Sequence, residues 1–593
     1  MGKVDSVGEI SEGTSRRAFL SIAGISVAAA AASCAAKPAT TPAAPTPKPP
    51  RAAKPNMVFV FTDQERFFNE WPKGMSLPGR DRLQDKGVTF RNHYCPAVMC
   101  TSSRAVMLTG LQTPDNKMFE NADMPYVQPL STSIPTVGHM LRKAGYYTAY
   151  KGKWHLNREF DRESPDHLFT TEMDAYGFSD YVWPGDVVAH TLGGYTYDNM
   201  IAGSAVSWLR NTGRPLADDS KPWALFVSLV NPHDIMYFNT DAPGQNVQDT
   251  GKLLMHAARA PENVLYQKDW DTALPESLEQ PMNEPGRPGA HGEFLKAWGY
   301  TLGNIPPEEE RWRRFTNFYL NSIRSVDQQL DLLLGELDAL SLTDNTIVVF
   351  TSDHGEMAGA HGLRGKGPFA YQEAIHLPMH VLHPDVSGGQ ECAALTGHID
   401  IAPSLLALAG VPAGRQAEVA GRKLPGRDFT AALGNPRSAD LHSVRDAVLF
   451  TYSGLATVDS EVVRILAEAK AANKDPKQAM AAAGYRPDLR KRGSLRTMYD
   501  GRYKFTRYFA PIQRNLPRDL DEIYKYNDVE LFDLESDPGE MTNLAATKGD
   551  HAELVLASSA KLEALIRQEI GVDDGREMPH IDNIKWTIDR LDL

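Results

Sequence analysis

The chain has 593 residues, 42% of them apolar, and a formal net charge of −13. That length suits one large domain with a smaller one beside it. The negative balance excludes general nucleic-acid binding and polybasic attachment to a membrane, so any anion-handling site must be locally positive. Four cysteines, Cys34, Cys95, Cys100 and Cys392, give neither a dense disulfide framework nor a Cys-x-x-Cys zinc spacing. A disulfide between Cys95 and Cys100 would consume a candidate nucleophile.

At the N-terminus, Thr14-Ser-Arg-Arg-Ala-Phe-Leu20 precedes a weakly apolar, Ala-rich run, Ser21 to Ala32. This is a twin-arginine export pattern, too short and too weakly apolar for a comfortable membrane span. It predicts a signal over 1–34, the twin-arginine export machinery as a partner, and a periplasmic or cell-surface location. Ala31-Ala-Ser-Cys34 also resembles a lipoprotein cleavage site, with Ala31 in the place of the usual Leu; Cys34 is then a candidate lipid anchor. Residues 35–55, rich in Ala, Pro and Thr, read as an extended tether.

The folded part begins at Asn56. Met57-Val-Phe-Val-Phe61 is a continuous apolar run that suits a buried parallel strand. It ends in Asp63-Gln64, oxygen donors suited to a hard divalent cation at a strand's carboxyl end. Next comes Cys95-Pro-Ala-Val-Met-Cys-Thr-Ser-Ser-Arg104, which runs on to Leu108-Thr-Gly110. Cys100 falls at a predicted helix N-terminus, where free N–H groups and the positive dipole end favour an anion or a thiolate. Arg104 lies one turn further on the same face. Together they suit a tetrahedral oxyanion such as sulfate or phosphate.

A helix over Thr136 to Lys143, closed by Gly145, leads into a short strand that delivers Lys153 and His155 to one side by alternation. Trp223 to Val230 is a second buried-strand run, ending in Asn231-Pro-His233; a His at a strand end beside a Pro turn can act as a general acid. From Asp234 to about Gly303 the chain is rich in Pro and Gly, with little periodicity, and reads as insertions over the site rim. Glu308 to Leu340 has helical periodicity. Thr346 to Ser352 is a third buried strand, ending in Asp353-His354-Gly-Glu356. Asp353 and His354 complete a metal site with Asp63 and Gln64, and the dominance of oxygen ligands favours Ca2+, with Mn2+ or Mg2+ as alternatives. From about Ala447, short strand-like runs alternate with turns and predict a small antiparallel sheet, with a helix over His551 to Glu569 packed on it. Ser460 to Ala483 reads as an inserted helical segment.

These motifs, in this order, resemble those of the type I sulfatases. The family's Cys-x-Pro-Ser-Arg signature is matched at Cys100, Ser103 and Arg104, with Ser102 where Pro is usual, and Leu108-Thr-Gly110 closes the motif. Gly152-Lys-Trp-His155, Pro232-His233, the loop His361-Gly-Leu-Arg-Gly-Lys366 and the C-terminal Glu530 to Leu544 are the other recurrent motifs. His354 stands where many sulfatases carry Asn; it also occurs in iduronate sulfatases and phosphonate monoester hydrolases.

The resemblance implies an α/β fold of the alkaline phosphatase type: a mixed sheet sandwiched by helices, over 56–446, and a small C-terminal α+β subdomain with an antiparallel sheet, over 447–593. It implies a sulfuric ester hydrolase whose Cys100 is oxidised by a formylglycine-generating maturation enzyme to formylglycine (3-oxoalanine). One hydroxyl of that group's hydrate, on a metal held by Asp63, Gln64, Asp353 and His354, attacks sulfur, and the other expels the sulfate. Asp353 is the implied base. Arg104, Lys153 and Lys366 neutralise sulfate oxygens, His155 bonds the second hydroxyl, and His233 with Lys366 serves the leaving alkoxide. The substrate is a sulfated small molecule or carbohydrate. Two rivals stand beside this reading: a phosphonate monoester or phosphodiester hydrolase on the same fold, and an unmatured protein that binds sulfated glycans without turnover.

Overall fold

The apolar run Met57–Phe61 forms the middle of strand β1 (Asn56–Asp63), and the computed structural model shows why it carries no polar interruption: both of its faces are covered. Met57, Phe59 and Phe61 enter one core, and Val58 and Val60 enter another on the opposite side of the sheet. The first core takes side chains from the Cys100–Thr109 and Ile401–Leu408 helices, the second from the Gly193–Trp208 and Glu309–Ala339 helices. Each large apolar side chain so buried contributes on the order of 1.5–3 kcal/mol.

The structure describes residues 54–161, 169–182, 185–581 and 586. The twin-arginine segment, Cys34 and nearly all of the tether lie outside the described residues. No helix among those described is long and apolar enough to cross a membrane.

The main sheet comprises β1, β2 (Val88–Tyr94), β3 (Tyr147–Gly152), β4 (Trp223–Pro232), β5 (Thr346–Ser352), β6 (His376–Leu377), β7 (Met379–Leu382) and β8 (Gln390–Gly397). Its order is β3-β4-β1-β5-β7-β2-β6, with β8 joined to β2. The first four of these strands are mutually parallel, with Phe59 level with Phe226 and Val349. Their carboxyl ends therefore share one edge, the edge where ligands collect in open α/β sheets. β7 runs antiparallel to β5 and β2, so the sheet is mixed.

A second, antiparallel sheet has the order β12-β11-β10-β9, formed by β9 (Val448–Tyr452), β10 (Ser494–Tyr499), β11 (Tyr503–Phe509) and β12 (Asp528–Asp533). The Ala552–Glu569 helix packs on it through Val555, Leu562 and Ile566. This sheet lies in the same compact unit as the main sheet, Arg51–Leu593. Val448, Phe450 and Tyr508 share a core with Tyr94 and Leu395 of the main sheet.

Three local expectations change. The stretch from Asp234 to Gly303 is irregular only at first; Gly289–Leu302 is a regular helix whose Phe294 and Ala297 are buried. The inserted segment is two helices, Ser460–Ala471 and Pro476–Ala483, each opened by an Asp side chain that accepts from a backbone N–H. Strand β3 stops at Gly152, short of Lys153 and His155. Gly152 has φ +93°, and a Cβ there would lie 2.0 Å from the Ser228 carbonyl oxygen. The chain thus leaves the strand by a turn open only to glycine, and strand alternation does not set the direction of the next residues.

Candidate active site

The shared edge brings Asp63, Cys100, Lys153, His233, Asp353, His354 and Lys366 into one buried cluster. Cys100 is the first residue of its helix, and Met99 before it has φ +90°, a conformation that costs on the order of 1–3 kcal/mol for a side-chain-bearing residue. This sharp entry aims the Cys100 side chain at the strand ends. Its Sγ lies 3.3 Å from His354 Nε2, 3.5 Å from Asp63 Oδ1, 3.5 Å from Lys366 Nζ and 3.8 Å from Lys153 Nζ. Cys95, Cys100 and Cys392 are free thiols, so Cys95 and Cys100 are not paired.

Ligating atoms of Asp63, Cys100, Asp353 and His354 all lie within 4.8 Å of one another. His354 Nδ1 bonds the Gly355 carbonyl at 3.0 Å, which fixes its tautomer and leaves Nε2 bare toward the cluster. Burial pulls the His354 pKa down, which keeps that lone pair unprotonated. Gln64 Nε2 donates to Glu356 Oε2, so Gln64 Oε1 faces inward, where Lys366 Nζ donates to it at 2.6 Å. Two carboxylates, an imidazole nitrogen and an amide oxygen fit a divalent cation.

Arg104 is fully buried and occupied. Its Nε donates to Asp353 Oδ2 at 2.8 Å, one terminal nitrogen donates to Asp63 Oδ2 at 2.7 Å, and the other reaches Ser228 Oγ at 2.7 Å and the Lys153 carbonyl at 2.9 Å. It braces the two carboxylates, and each of its three nitrogens has a protein partner. The mutual attraction with Asp353 and Asp63 raises the Arg104 pKa against the cost of burial. Asp353 Oδ1 accepts from the backbone N–H groups of Gln64 (3.1 Å) and His354 (2.8 Å), and Oδ2 accepts from Arg104. Three of its four lone-pair sites are thus taken.

Burial alone would raise the Asp63 pKa, but Lys153, Arg104 and Lys366 hold it well below the usual carboxylate range. Lys153 donates to Asp63 Oδ2 at 2.7 Å, and that carboxylate with Cys100 raises its pKa against burial. His233 follows the cis Asn231–Pro232 bond. Its position is fixed on both sides: Asp198 accepts from the N–H groups of Val230 and Asn231, and Asp234 caps the Gly193–Trp208 helix through Gly194 and Tyr195. Burial, then Lys153 and Lys366, push its pKa well down, so the ring is neutral. His155 has φ +58°, and its Nε2 lies 3.3 Å from Asp123 Oδ1. The Asp123 carboxylate and the nearby Cys100 raise its pKa against burial.

Sequence reasoning missed three supports. Glu356 lay inside a quoted motif but had no role; it orients Gln64 and accepts from the N–H groups of Ala358 and Gly365, which ties the Lys366 loop to the site. Asp123, the partner of His155, and Asp186, which accepts from the Trp154 and His155 N–H groups, sit in irregular segments with no local signal. Ser102 occupies the third position of the Cys100–Thr109 helix, where no backbone partner is owed, and its buried Oγ has none. Ser102→Pro is therefore expected to leave thermal stability within about 1 kcal/mol of the parent, by melting under matched conditions.

The packing of helices on both faces of this mixed sheet is shared with solved structures. A 2-O GAG sulfatase superposes with a TM-score of 0.61 at 19% identity, over 87% of this chain and 92% of that one. The phosphonate monoester hydrolase of Silicibacter pomeroyi superposes with a TM-score of 0.57 at 20% identity, over 88% and 97%. The chain belongs to the sulfatase family, whose profile (Sulfatase) matches residues 55–411. It is similar to the choline-sulfatase of Rhizobium meliloti (strain 1021), at 28% identity over 61% of this chain and 68% of that one. It is also similar to the ulvan-active sulfatase of Formosa agariphila, at 29% identity over 68% and 69%. The protein is a sulfatase enzyme.

Proposed function

We propose that this enzyme hydrolyses a sulfate monoester, carried on a carbohydrate or another small molecule, with formylglycine made from Cys100 and one divalent cation. The observation that carries the reading is the cluster itself: Cys100 Sγ is met by His354, Asp63, Lys366 and Lys153 within 3.8 Å, all buried. Asp63, Gln64, Asp353 and His354 would hold the cation, with Ca2+ first and Mn2+ or Mg2+ next. Cation and formylglycine hydrate together supply an activated hydroxyl nucleophile and charge neutralisation.

The chain's own residues do the rest. Lys153 and Lys366 bring two ammonium groups to the Cys100 side chain, where a bound sulfate group meets donors in a water-poor site. Burial first, and then those lysines, hold the His233 pKa well down in the free enzyme. An anionic ester offsets their charge, raises the ring's proton affinity and moves it toward the acid that serves the leaving oxygen. His155, whose raised pKa favours its proton, donates toward the residue-100 side chain. The signal at 1–34 supports export, and a maturation enzyme acting first would meet Cys100 before the protein leaves the cytoplasm.

The test is the intact mass of the peptide spanning Cys100, from protein made in its native host. Conversion lowers the mass by roughly 18 Da and exposes an aldehyde. An unmodified thiol in fully active protein would sink the formylglycine reading. Metal-depleted enzyme is expected to lose activity and to regain it with an added divalent cation; full turnover after verified removal of the ion would remove the cation from the reading.

One observation favours a second reading. The fold is similar to that of phosphonate monoester hydrolases, the family resemblance implies that they share His354, and a singly charged phosphonate ester resembles a sulfate ester in charge. The ratio of kcat/KM for matched aryl sulfate and aryl phosphonate esters decides between the two.

A further inference from the structure

A second group of ligand-type side chains shares no residue with the cluster around Cys100. A ring nitrogen of His361, a carboxylate oxygen of Glu373 and one of Glu540 lie within 4.8 Å of one another. His361 and Glu540 are buried, and Glu373 is half-buried and gives access from solvent. They come from three separate segments: the loop that carries Lys366, the short Gln372–Ile375 helix, and the turn after β12.

The proton on His361 can be placed by following its neighbours. Gln280 Nε2 donates to Glu284 Oε2 at 2.6 Å, which fixes the Gln280 amide with Oε1 toward His361. That oxygen lies 2.7 Å from His361 Nδ1 and cannot donate, so Nδ1 carries the hydrogen. Nε2 is then a bare lone pair, and it is buried without a hydrogen-bond partner. The ring is also locked by stacking on Tyr371, with centroids 3.7 Å apart at 10°. An imidazole whose second nitrogen donates to a carbonyl oxygen, with a rigid ring and an unpartnered first nitrogen, has the arrangement of a metal-ligating histidine.

The other two members are acceptors as well. Glu540 Oε2 accepts from the Gln372 N–H at 2.7 Å, and Lys504 pairs with Oε1. Each carboxylate oxygen keeps a second lone pair after one such contact. Lys504 and Arg287, whose guanidinium donates to the His361 carbonyl, set two positive charges beside the two carboxylates, and an orphan lone pair faces them.

We propose that His361, Glu373 and Glu540 form a second divalent-cation site, structural in role, that takes a borderline ion, Zn2+ before Mn2+. One imidazole and two carboxylates are a zinc-type ligand set. An ion there pins the Lys366 loop to the turn that follows β12, across the boundary between the two sheets.

The experiment uses full-length, untagged protein, stripped by chelation and re-equilibrated with Zn2+, with bound metal counted by mass spectrometry of the ion and melting followed in parallel. Wild type is expected to hold one more equivalent than Glu373→Gln or His361→Gln, and Zn2+ to raise the melting temperature of wild type more than that of either variant. Asp63→Asn is expected to lose a different equivalent and to keep the one assigned here. Glu373 is half-buried and the change to Gln is isosteric, so this variant folds even if His361→Gln does not. Equal zinc content in wild type and Glu373→Gln overturns the proposal, and the group is then satisfied by Lys504 and a proton shared with a carboxylate.

Discussion

Replacing Cys100 by Ala is expected to abolish sulfate-ester turnover, by about four orders of magnitude or more, while the protein stays folded. The asymmetry follows from where the side chain sits. Cys100 opens a helix, where Ala is tolerated, and its backbone geometry is set by Met99 before it and the buried helix after it. The change removes one sulfur from a polar cluster, so the stability cost is on the order of 1 kcal/mol. What is lost is an atom that His354, Asp63, Lys153 and Lys366 all approach. Asp63, Gln64, Asp353 and His354 survive in this variant and only the residue-100 ligand is lost, so it should still bind its divalent ion when the ion is in excess. Measuring kcat on an aryl sulfate together with bound metal separates the cases. Inactive protein with its ion in place supports residue 100 as the nucleophile, and near-parental kcat would mean that some other group attacks.

The strand ends were legible because fully buried parallel strands leave long apolar runs that stop abruptly at polar residues. Met57–Phe61 before Asp63, Trp223–Val230 before His233 and Thr346–Ser352 before Asp353 all show this, and in the structure the strands lie side by side. Lys153 and His155 were placed at the site for a wrong local reason. The strand ends at Gly152, and a positive-φ turn with Asp186 holding two N–H groups sets their direction. Nothing in the sequence near Lys153 encodes Asp186, because the support comes from an irregular segment 32 and 31 residues away. Lys366 was found only through family resemblance, since a lysine in a Gly-rich loop carries no period. Its anchor, the Glu356 carboxylate on the Gly365 N–H, spans a loop that no hydrophobic pattern describes. Arg104 shows the converse limit. Its helical spacing from Cys100 gives its place, but the partners of its donors, Asp63, Asp353 and Ser228, arrive from or just beyond three different strands.

Arg104→Ala is the second large effect expected, and it differs from the first in kind. The guanidinium is completely buried and bridges Asp63 and Asp353, themselves buried. Removing it strands two carboxylates facing each other without their shared counter-charge, a change that costs about 3–5 kcal/mol when a buried pair is broken. Activity should fall by roughly 10²–10³-fold, because the ligands that Arg104 braces lose their fixed separation. Arg104→Lys restores a charge but not the fork that reaches both carboxylates and Ser228 at once, so it should recover only part of either loss. A divalent cation between the two carboxylates replaces some of the missing charge. Added cation is therefore expected to raise the melting temperature of Arg104→Ala by more than it raises that of the parent. That difference is the decisive reading. A brace for metal ligands predicts it, whereas an arginine that only contacted the substrate's sulfate would lower kcat/KM and leave the cation's effect on melting equal in the two proteins.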